Sequence, residues 1–268
     1  MIQNLLVRLI HFGPKTKRWF WKSWYNFFAK KAYTHDFFFM NYGYSDEILS
    51  IKTDSKEEGE RYPAQLYHHT ASQENIAGKK VLEVGSGRGG GASYVSRYLD
   101  PKSVVGIDIS KNAVGLCSST HQYSNLSFCV GDSEKAPFKD RSFDIVLNVE
   151  SSHCYGNIPL FLNEVKRVLK PGGFFLWADF RKTKEMPILF NSFLESGLVK
   201  IREKNITDFV IDALKKMSSE RKEKIKKHVP KFIQPVFMSY AGIKGSDVYN
   251  SFIQNKLIYK SATFKKPE

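Results

Sequence analysis

Val81-Leu82-Glu83-Val84-Gly85-Ser86-Gly87-Arg88-Gly89-Gly90-Gly91 is the stretch that decides how this chain folds. Val81, Leu82 and Val84 leave little polar surface on either side of a strand, as expected inside a parallel sheet covered on both faces. The glycines that follow permit positive φ and let a ligand reach the backbone without Cβ atoms in the way. Ala92 to Leu99 continues as a short helix whose first N–H groups are available to a ligand. Gly85, Gly87 and Gly90 satisfy a Gly-x-Gly-x-x-Gly pattern, which by itself leaves nicotinamide, flavin and S-adenosylmethionine all open as ligands, as well as a tight turn that binds nothing.

Downstream, strand and helix alternate, the mark of an α/β fold with a parallel sheet. Strands are expected at Lys80 to Val84, Ser103 to Asp108, Ser127 to Val130, Phe143 to Val149 and Phe174 to Asp179. Helices are expected from Gly90 to Leu99, from Lys111 to Thr120 with Ser110 as cap, and from Ile158 to Leu169, stopped by Pro171-Gly172-Gly173. Met186 to Glu195 reads as a helix and Leu198 to Asn205 as a sixth strand. Thr207 to His228 is a basic helical stretch, Pro230 to Ile253 is irregular or helical, and Leu257 to Phe264 alternates as a last, antiparallel edge strand. Upstream, Glu60 to Ala71 is a helix leading into the first strand.

Three acids narrow the ligand. Glu83 lies two residues before the glycine loop, where a carboxylate suits water or a cationic amino group better than a pyrophosphate. Asp108 ends the second strand and can accept hydrogen bonds from both hydroxyls of a ribose. Gly131-Asp132 follows the third strand, where a carboxylate can receive an adenine amino group. One acid at a strand end is ordinarily a solvated loop residue. Three at successive carboxyl ends of one parallel sheet mark a binding edge.

With those residues the chain resembles the class I S-adenosylmethionine-dependent methyltransferases. The matching stretches are Val81 to Gly89, Gly106-Ile107-Asp108-Ile109-Ser110, Gly131-Asp132-Ser133-Glu134 with Pro137-Phe138, Ser142 to Val146, and Leu169 to Gly173. Asn148-Val149-Glu150-Ser151-Ser152-His153-Cys154-Tyr155 and Ala178-Asp179-Phe180-Arg181 are similar to the mycobacterial phthiotriolone and glycopeptidolipid O-methyltransferases, as are Tyr42-Gly43-Tyr44, Gly242 to Ser246 and Tyr259. The resemblance implies a Rossmann-like sheet of seven strands with helices on both faces. It implies cover segments over the substrate, here residues 1–75 and about 207–254. It implies S-adenosylmethionine as cofactor, with Glu83, Gly85, Ser86, Gly87, Gly89, Asp108, Ile109, Gly131, Asp132, Ser133, Asn148 and Glu150 as the residues expected around it.

An alcohol attacks a methyl sulfonium poorly unless its proton leaves as attack proceeds, so a general base is expected. His153 follows the fourth strand and has an ordinary pKa of ~6.5, suited to that role. Asp179, at the end of the fifth, is expected either to orient it or to act itself. Tyr155 can hydrogen-bond an acceptor or simply pack, and His68 and His69 fit a surface role better than a site role. No His, Asp, Glu or Cys spacing matches a metal site, so metal-independent chemistry is expected. O-methylation of a hydroxyl on a hydrophobic, lipid-like or polyketide-like molecule is the leading expectation. C-methylation of a quinone or sterol, N-methylation of a phosphobase, a membrane-peripheral binding protein that keeps the cofactor fold, and a nicotinamide enzyme are the alternatives.

Net charge is +14, which points to an acidic partner or to a solvated lysine-rich surface. No nucleic-acid-binding signature accompanies it, so nucleic acid is the weakest partner. Cys117, Cys129 and Cys154 form no Cys-x-x-Cys pair, in keeping with a reducing, cytoplasmic setting. Residues 1–40 stand apart from a methyltransferase domain at 41–268. Ile2, Leu5, Leu6, Leu9 and Ile10 recur at helical spacing before Gly13-Pro14, with no signal-peptide pattern. Trp19, Trp21, Trp24 and four further aromatics then interleave with Lys15, Lys17, Arg18, Lys22, Lys30 and Lys31. That composition suits an anionic membrane surface, touched through residues 1–35, or a lid over the site.

Overall fold

The computed structural model describes residues 38–231 and 234–268. The amphipathic segment expected over residues 1–35 lies outside those described. Seven strands form one sheet: β1 Lys80–Val84, β2 Ser103–Asp108, β3 Leu126–Val130, β4 Phe143–Val149, β5 Leu169–Lys182, β6 Val199–Asn205 and β7 Leu257–Lys265. Their order is β3-β2-β1-β4-β5-β7-β6. β1 to β5 pair in parallel, and β7 runs antiparallel between β5 and β6. The helices are α1 Arg61–Ala71, α2 Gly90–Tyr98, α3 Lys111–Thr120, α4 Ile158–Val168, α5 Met186–Glu195, α6 Thr207–His228, α7 Gln234–Tyr240 and α8 Asp247–Ile253.

Two hydrophobic clusters show helices on both faces. One gathers Leu66, Val81, Val95, Ile145, Leu147, Val210 and Phe252, uniting α1, α2, α6 and α8 with the sheet. The other gathers Leu82, Val146, Phe161, Phe175, Trp177 and Phe193, uniting α4 and α5 with the opposite face. The period of two along β4 produces this: Ile145 and Leu147 face one layer, Val146 the other. Phe175 and Trp177 are wholly buried, and truncating either to Ala costs ~3–5 kcal/mol. Ser110 caps α3 as expected, its hydroxyl accepting the Ala113 N–H at 3.2 Å.

Two expectations are corrected. Leu257–Lys265 is antiparallel but is not the edge. Tyr259, Ser261, Ala262, Thr263 and Phe264 are all buried, so β7 needs neighbours on both sides. The edge falls to β6, which is exposed along its whole length and carries Lys200, Arg202, Glu203 and Lys204, charges that discourage further pairing. Pro171-Gly172-Gly173 does not stop a helix ahead of a separate strand. β5 already starts at Leu169, and the register against β4 shifts across this tripeptide, with Gly172 at φ +71°.

Candidate active site

The carboxyl ends of β1 to β4 open into a cavity that communicates with solvent. β1 lies between β2 and β4, so its loop forms the floor. Gly85 takes φ +82°, and its N–H and that of Ser86 both donate to Ile107 O at 2.9 Å. A Cβ at Gly85 would stand 2.5 Å from Ser151 Oγ and 2.9 Å from Tyr155 Oη. Gly87, at φ +53°, donates its N–H to Asp108 Oδ2 at 3.0 Å, while Ser110 N donates to Oδ1 at 2.8 Å. Asp108 is thereby fixed with lone pairs still available on both oxygens, and burial pushes its pKa up. Asp132 is held by an Asp-turn bond from Glu134 N to Oδ1 at 3.0 Å.

Of the residues expected around a cofactor, Gly85, Ser86, Gly87, Asp108, Ile109, Gly131, Asp132, Ser133 and Glu150 line the cavity. Three do not. Gly89 packs beneath the loop, where a Cβ would meet His121, Phe128 and Cys117 within 3.0 Å. Asn148 is wholly buried, and its Nδ2 donates to Val84 O, Ser151 Oγ and Tyr155 Oη, bracing the wall from behind. Glu83 also sits behind the lining, 1% exposed. The Tyr67 hydroxyl and Ala92 amide act on its carboxylate without reaching full hydrogen-bond geometry, and burial pushes its pKa up to about 7.

Residues of the expected 1–75 cover, none of them singled out individually as a site residue, complete much of the wall. A strap, residues 38–46, runs over the cavity without regular structure and lines it with Phe38, Phe39, Met40 and Asn41. Glu60 accepts the Phe38 and Phe39 N–H groups, Arg221 donates to Asn41 O at 2.7 Å, and the Tyr42 hydroxyl donates to Tyr240 O at 3.0 Å. The expected late cover, 207–254, therefore acts by holding the strap; none of its described residues lines the cavity. Tyr67 lines it too. A Cβ at Gly91 would fall 1.9 Å from that ring, and this close approach is the one signal the triple glycine gave of it. Arg88 lines it from within the quoted motif.

His153 and Asp179 come together beside the cavity rather than in its wall. Their neighbour Cys154 does line it. Asp179, wholly buried, accepts the His153 Nδ1–H at 2.9 Å, the His153 N–H at 2.9 Å, the Ser152 hydroxyl at 2.6 Å and the Phe180 N–H at 2.8 Å, and pairs with Arg181 at 3.1 Å. So enclosed, it is placed to orient the imidazole and not to meet an acceptor. The His153 side chain is 21% exposed and leans on the Phe180 ring, centroids 4.6 Å apart. Burial opposes the imidazolium, but the Cys154 sulfur and Asp179 carboxylate outweigh it and lift the His153 pKa to about 10. The imidazolium and Arg181 in turn hold Asp179, against its burial, well below the ordinary carboxylate range. Phe180 also packs on Tyr42, Phe252 and Tyr259, an aromatic wall beyond the histidine.

Tyr155 braces Ser151 and Asn148 and also lines the cavity. His68 and His69 are half-buried rather than at the surface. His68 bonds the Tyr94 hydroxyl at 2.9 Å. His69 bonds Ser261 Oγ at 3.0 Å and stacks on Tyr44, and burial lowers its pKa to about 4.

The geometry suits a nucleoside sulfonium: a glycine cradle that a Cβ would fill, a fixed Asp108, and an orphaned Glu83 carboxylate behind the loop. Comparisons with known proteins agree. A methyltransferase domain matches residues 82–177. The chain is 38% identical over 227 residues to a probable phthiotriol/phenolphthiotriol dimycocerosates methyltransferase 2 of Mycobacterium ulcerans, covering 84% of this chain and 88% of that one. It is 34% identical over 244 residues to a fatty-acid O-methyltransferase of Mycolicibacterium smegmatis, covering 91% and 88%. A solved putative sarcosine dimethylglycine methyltransferase from Galdieria sulphuraria shares the fold, with a TM-score of 0.66 at 19% identity over 91% of this chain and 98% of that one. This chain belongs to the S-adenosylmethionine-dependent methyltransferases, in the family that includes these mycobacterial enzymes.

Proposed function

We propose that this methyltransferase methylates an oxygen, foremost a hydroxyl, of a hydrophobic lipid-like small molecule. The observation that carries the reading is the His153–Asp179 pair set between the cavity and the aromatic wall around Phe180. S-adenosylmethionine supplies an electrophilic methyl group when bound. The Gly85–Gly87 turn, Asp108 and Asp132 would hold its nucleoside, and Glu83 would answer its amino group through the loop. The strap keeps water from the reacting centre. His153 takes the hydroxyl proton on its imidazole, which Asp179 orients through Nδ1. Asp179 is a positioning residue: it fixes the ring and stabilises the imidazolium that forms.

The raised His153 pKa favours a second acceptor, a carboxylate, which needs no base. There the imidazolium would pair with the acceptor oxygen instead of deprotonating it. Product chemistry separates the two. Methylation of a hydroxyl yields a base-stable ether, methylation of a carboxylate a base-labile ester, and C- or N-methylation a product whose fragments keep the methyl on carbon or nitrogen. A product methylated only on carbon or nitrogen would sink both readings.

The partition at residue 40 and a cytoplasmic setting belong to the same proposal, as does contact of residues 1–35 with an anionic membrane. Their basic, tryptophan-rich composition supports that contact. Among the described residues no helix is long and apolar enough to cross a membrane.

A further inference from the structure

Glu150 lines the cavity as expected, and its place in the fold opens a second role for it. The sheet order sets Asp108 and Asp132, at the ends of β2 and β3, on one side of β1, and Glu150, just past β4, on the other. It lines the cavity directly after β4, three residues before His153. Its carboxylate is divided in function. Oε2 accepts the Tyr42 N–H of the strap at 2.8 Å and the Tyr259 hydroxyl of β7 at 3.0 Å. Among the described residues no donor or acceptor engages Oε1 within hydrogen-bond distance. The backbone is held in a conformation that L side chains rarely adopt, φ +47°, with its N–H fixed to Ala178 O at 2.7 Å. Strain of ~1–3 kcal/mol at a residue pinned from three elements is what a positioned site residue shows.

We propose that Glu150 is the specificity-determining contact for the acceptor, its Oε1 holding the acceptor oxygen beside the methyl-transfer point. The inference rests on the proposed function. Burial pushes the Glu150 pKa up to about 8, the neighbouring His153 and the donors from Tyr42 and Tyr259 acting against the rise. Near neutral pH the proton sits on Oε1, since both hydrogen bonds from the protein enter Oε2. The neutral carboxyl then donates to one lone pair of the acceptor oxygen. Alkyl groups that offer no oxygen gain nothing from this contact.

The test is equilibrium binding of 1-decanol, by calorimetry, to protein saturated with S-adenosylhomocysteine. Glu150→Ala should weaken alcohol binding ~10-fold, the worth of one buried hydrogen bond. Glu150→Gln should restore it to within ~3-fold of wild type, because an amide accepts on Oε1 from Tyr42 and Tyr259 and donates on Nε2. Affinity for S-adenosylhomocysteine should be the same in all three. Glu150→Leu, which keeps the bulk, repeats the comparison if the alanine variant does not fold. Unchanged alcohol binding in the alanine or leucine variant overturns the proposal, as does Gln behaving like Ala, a loss of S-adenosylhomocysteine affinity instead, or no alcohol binding by wild type. Glu150-dependent alcohol binding without any methyl transfer to lipid oxygen would fail the proposed function and leave this contact standing.

Discussion

Asp179→Asn separates the chemistry of the His153–Asp179 pair from its shape. The substitution is nearly isosteric but removes a wholly buried charge 2.9 Å from the imidazole Nδ1. At an effective dielectric of ~20, a charge pair ~4 Å apart is worth ~4 kcal/mol. At ~1.36 kcal/mol per pKa unit, that is a shift of ~3 units. His153, lifted to about 10 in the wild type, should therefore titrate near ~7 in the variant. For a hydroxyl acceptor the base must be neutral, so wild-type kcat climbs with pH toward 10. The variant should level off near ~7, at a plateau lowered ~10²-fold or more because the ring loses its orientation. For a carboxylate acceptor the slope reverses, since the imidazolium is then the useful form. Two assays read this: pH–rate profiles with labelled cofactor, and NMR titration of the His153 Cε1–H. An imidazole that titrates identically in both proteins refutes the reasoning.

The same pair has a stability signature. His153, with its folded pKa above the ordinary 6.5, contributes fully below that pH and loses its contribution as pH rises through about 10. Asp179, with its folded pKa depressed, contributes above its ordinary 3.8 and loses its contribution as pH falls below it. Urea denaturation should show the gap between wild type and variant widest at about pH 4–6.5, on the order of 3–5 kcal/mol, and narrowing on either side.

Gly85→Ala should cost more than ~2 kcal/mol of stability and at least ~10-fold in S-adenosylhomocysteine affinity, because a left-handed backbone is joined by a Cβ 2.5 Å from Ser151 Oγ; calorimetric affinity matching wild type would contradict this. Glu83→Gln should stabilise the ligand-free protein at pH 8. Burial raises the Glu83 pKa from 4.5 to about 7, so its contribution is complete below 4.5 and lost as pH rises through 7. The gain should approach ~3 kcal/mol and vanish near pH 4.5, and a pH-independent difference in urea melts would speak against it. Removing residues 1–35 should abolish co-sedimentation with anionic vesicles; equal pelleting of both proteins would exclude that segment as the membrane contact.

What the sequence made legible was local. The glycine loop, Asp108 and Asp132 lie within a few residues of strands whose burial pattern is plain, and a parallel sheet brings its carboxyl ends to one edge whatever the rest does. Contacts that join distant segments were not legible. Asn148 was expected near the cofactor from the family resemblance alone, and the side-chain alternation of β4 sets it under Val84 and Tyr155. The place of β7 inside the sheet depends on burial of both its faces, which the alternation of Leu257 to Phe264 did not disclose. Glu60, Glu150 and Arg221, far apart in sequence, hold the strap's backbone over the site. Asp179 had two readings in sequence, base or orienter, and its complete burial supports the proposal that it orients.

The most direct measurement is transfer of labelled methyl from S-adenosylmethionine, by the purified full-length protein, into the organic phase of a lipid extract, beside a His153→Ala variant that binds S-adenosylhomocysteine normally. The account predicts label on lipid oxygen with wild type and a fall of ~10²-fold or more with the variant. Wild type that binds the cofactor but labels no lipid, or a variant that labels it at the wild-type rate, would contradict it.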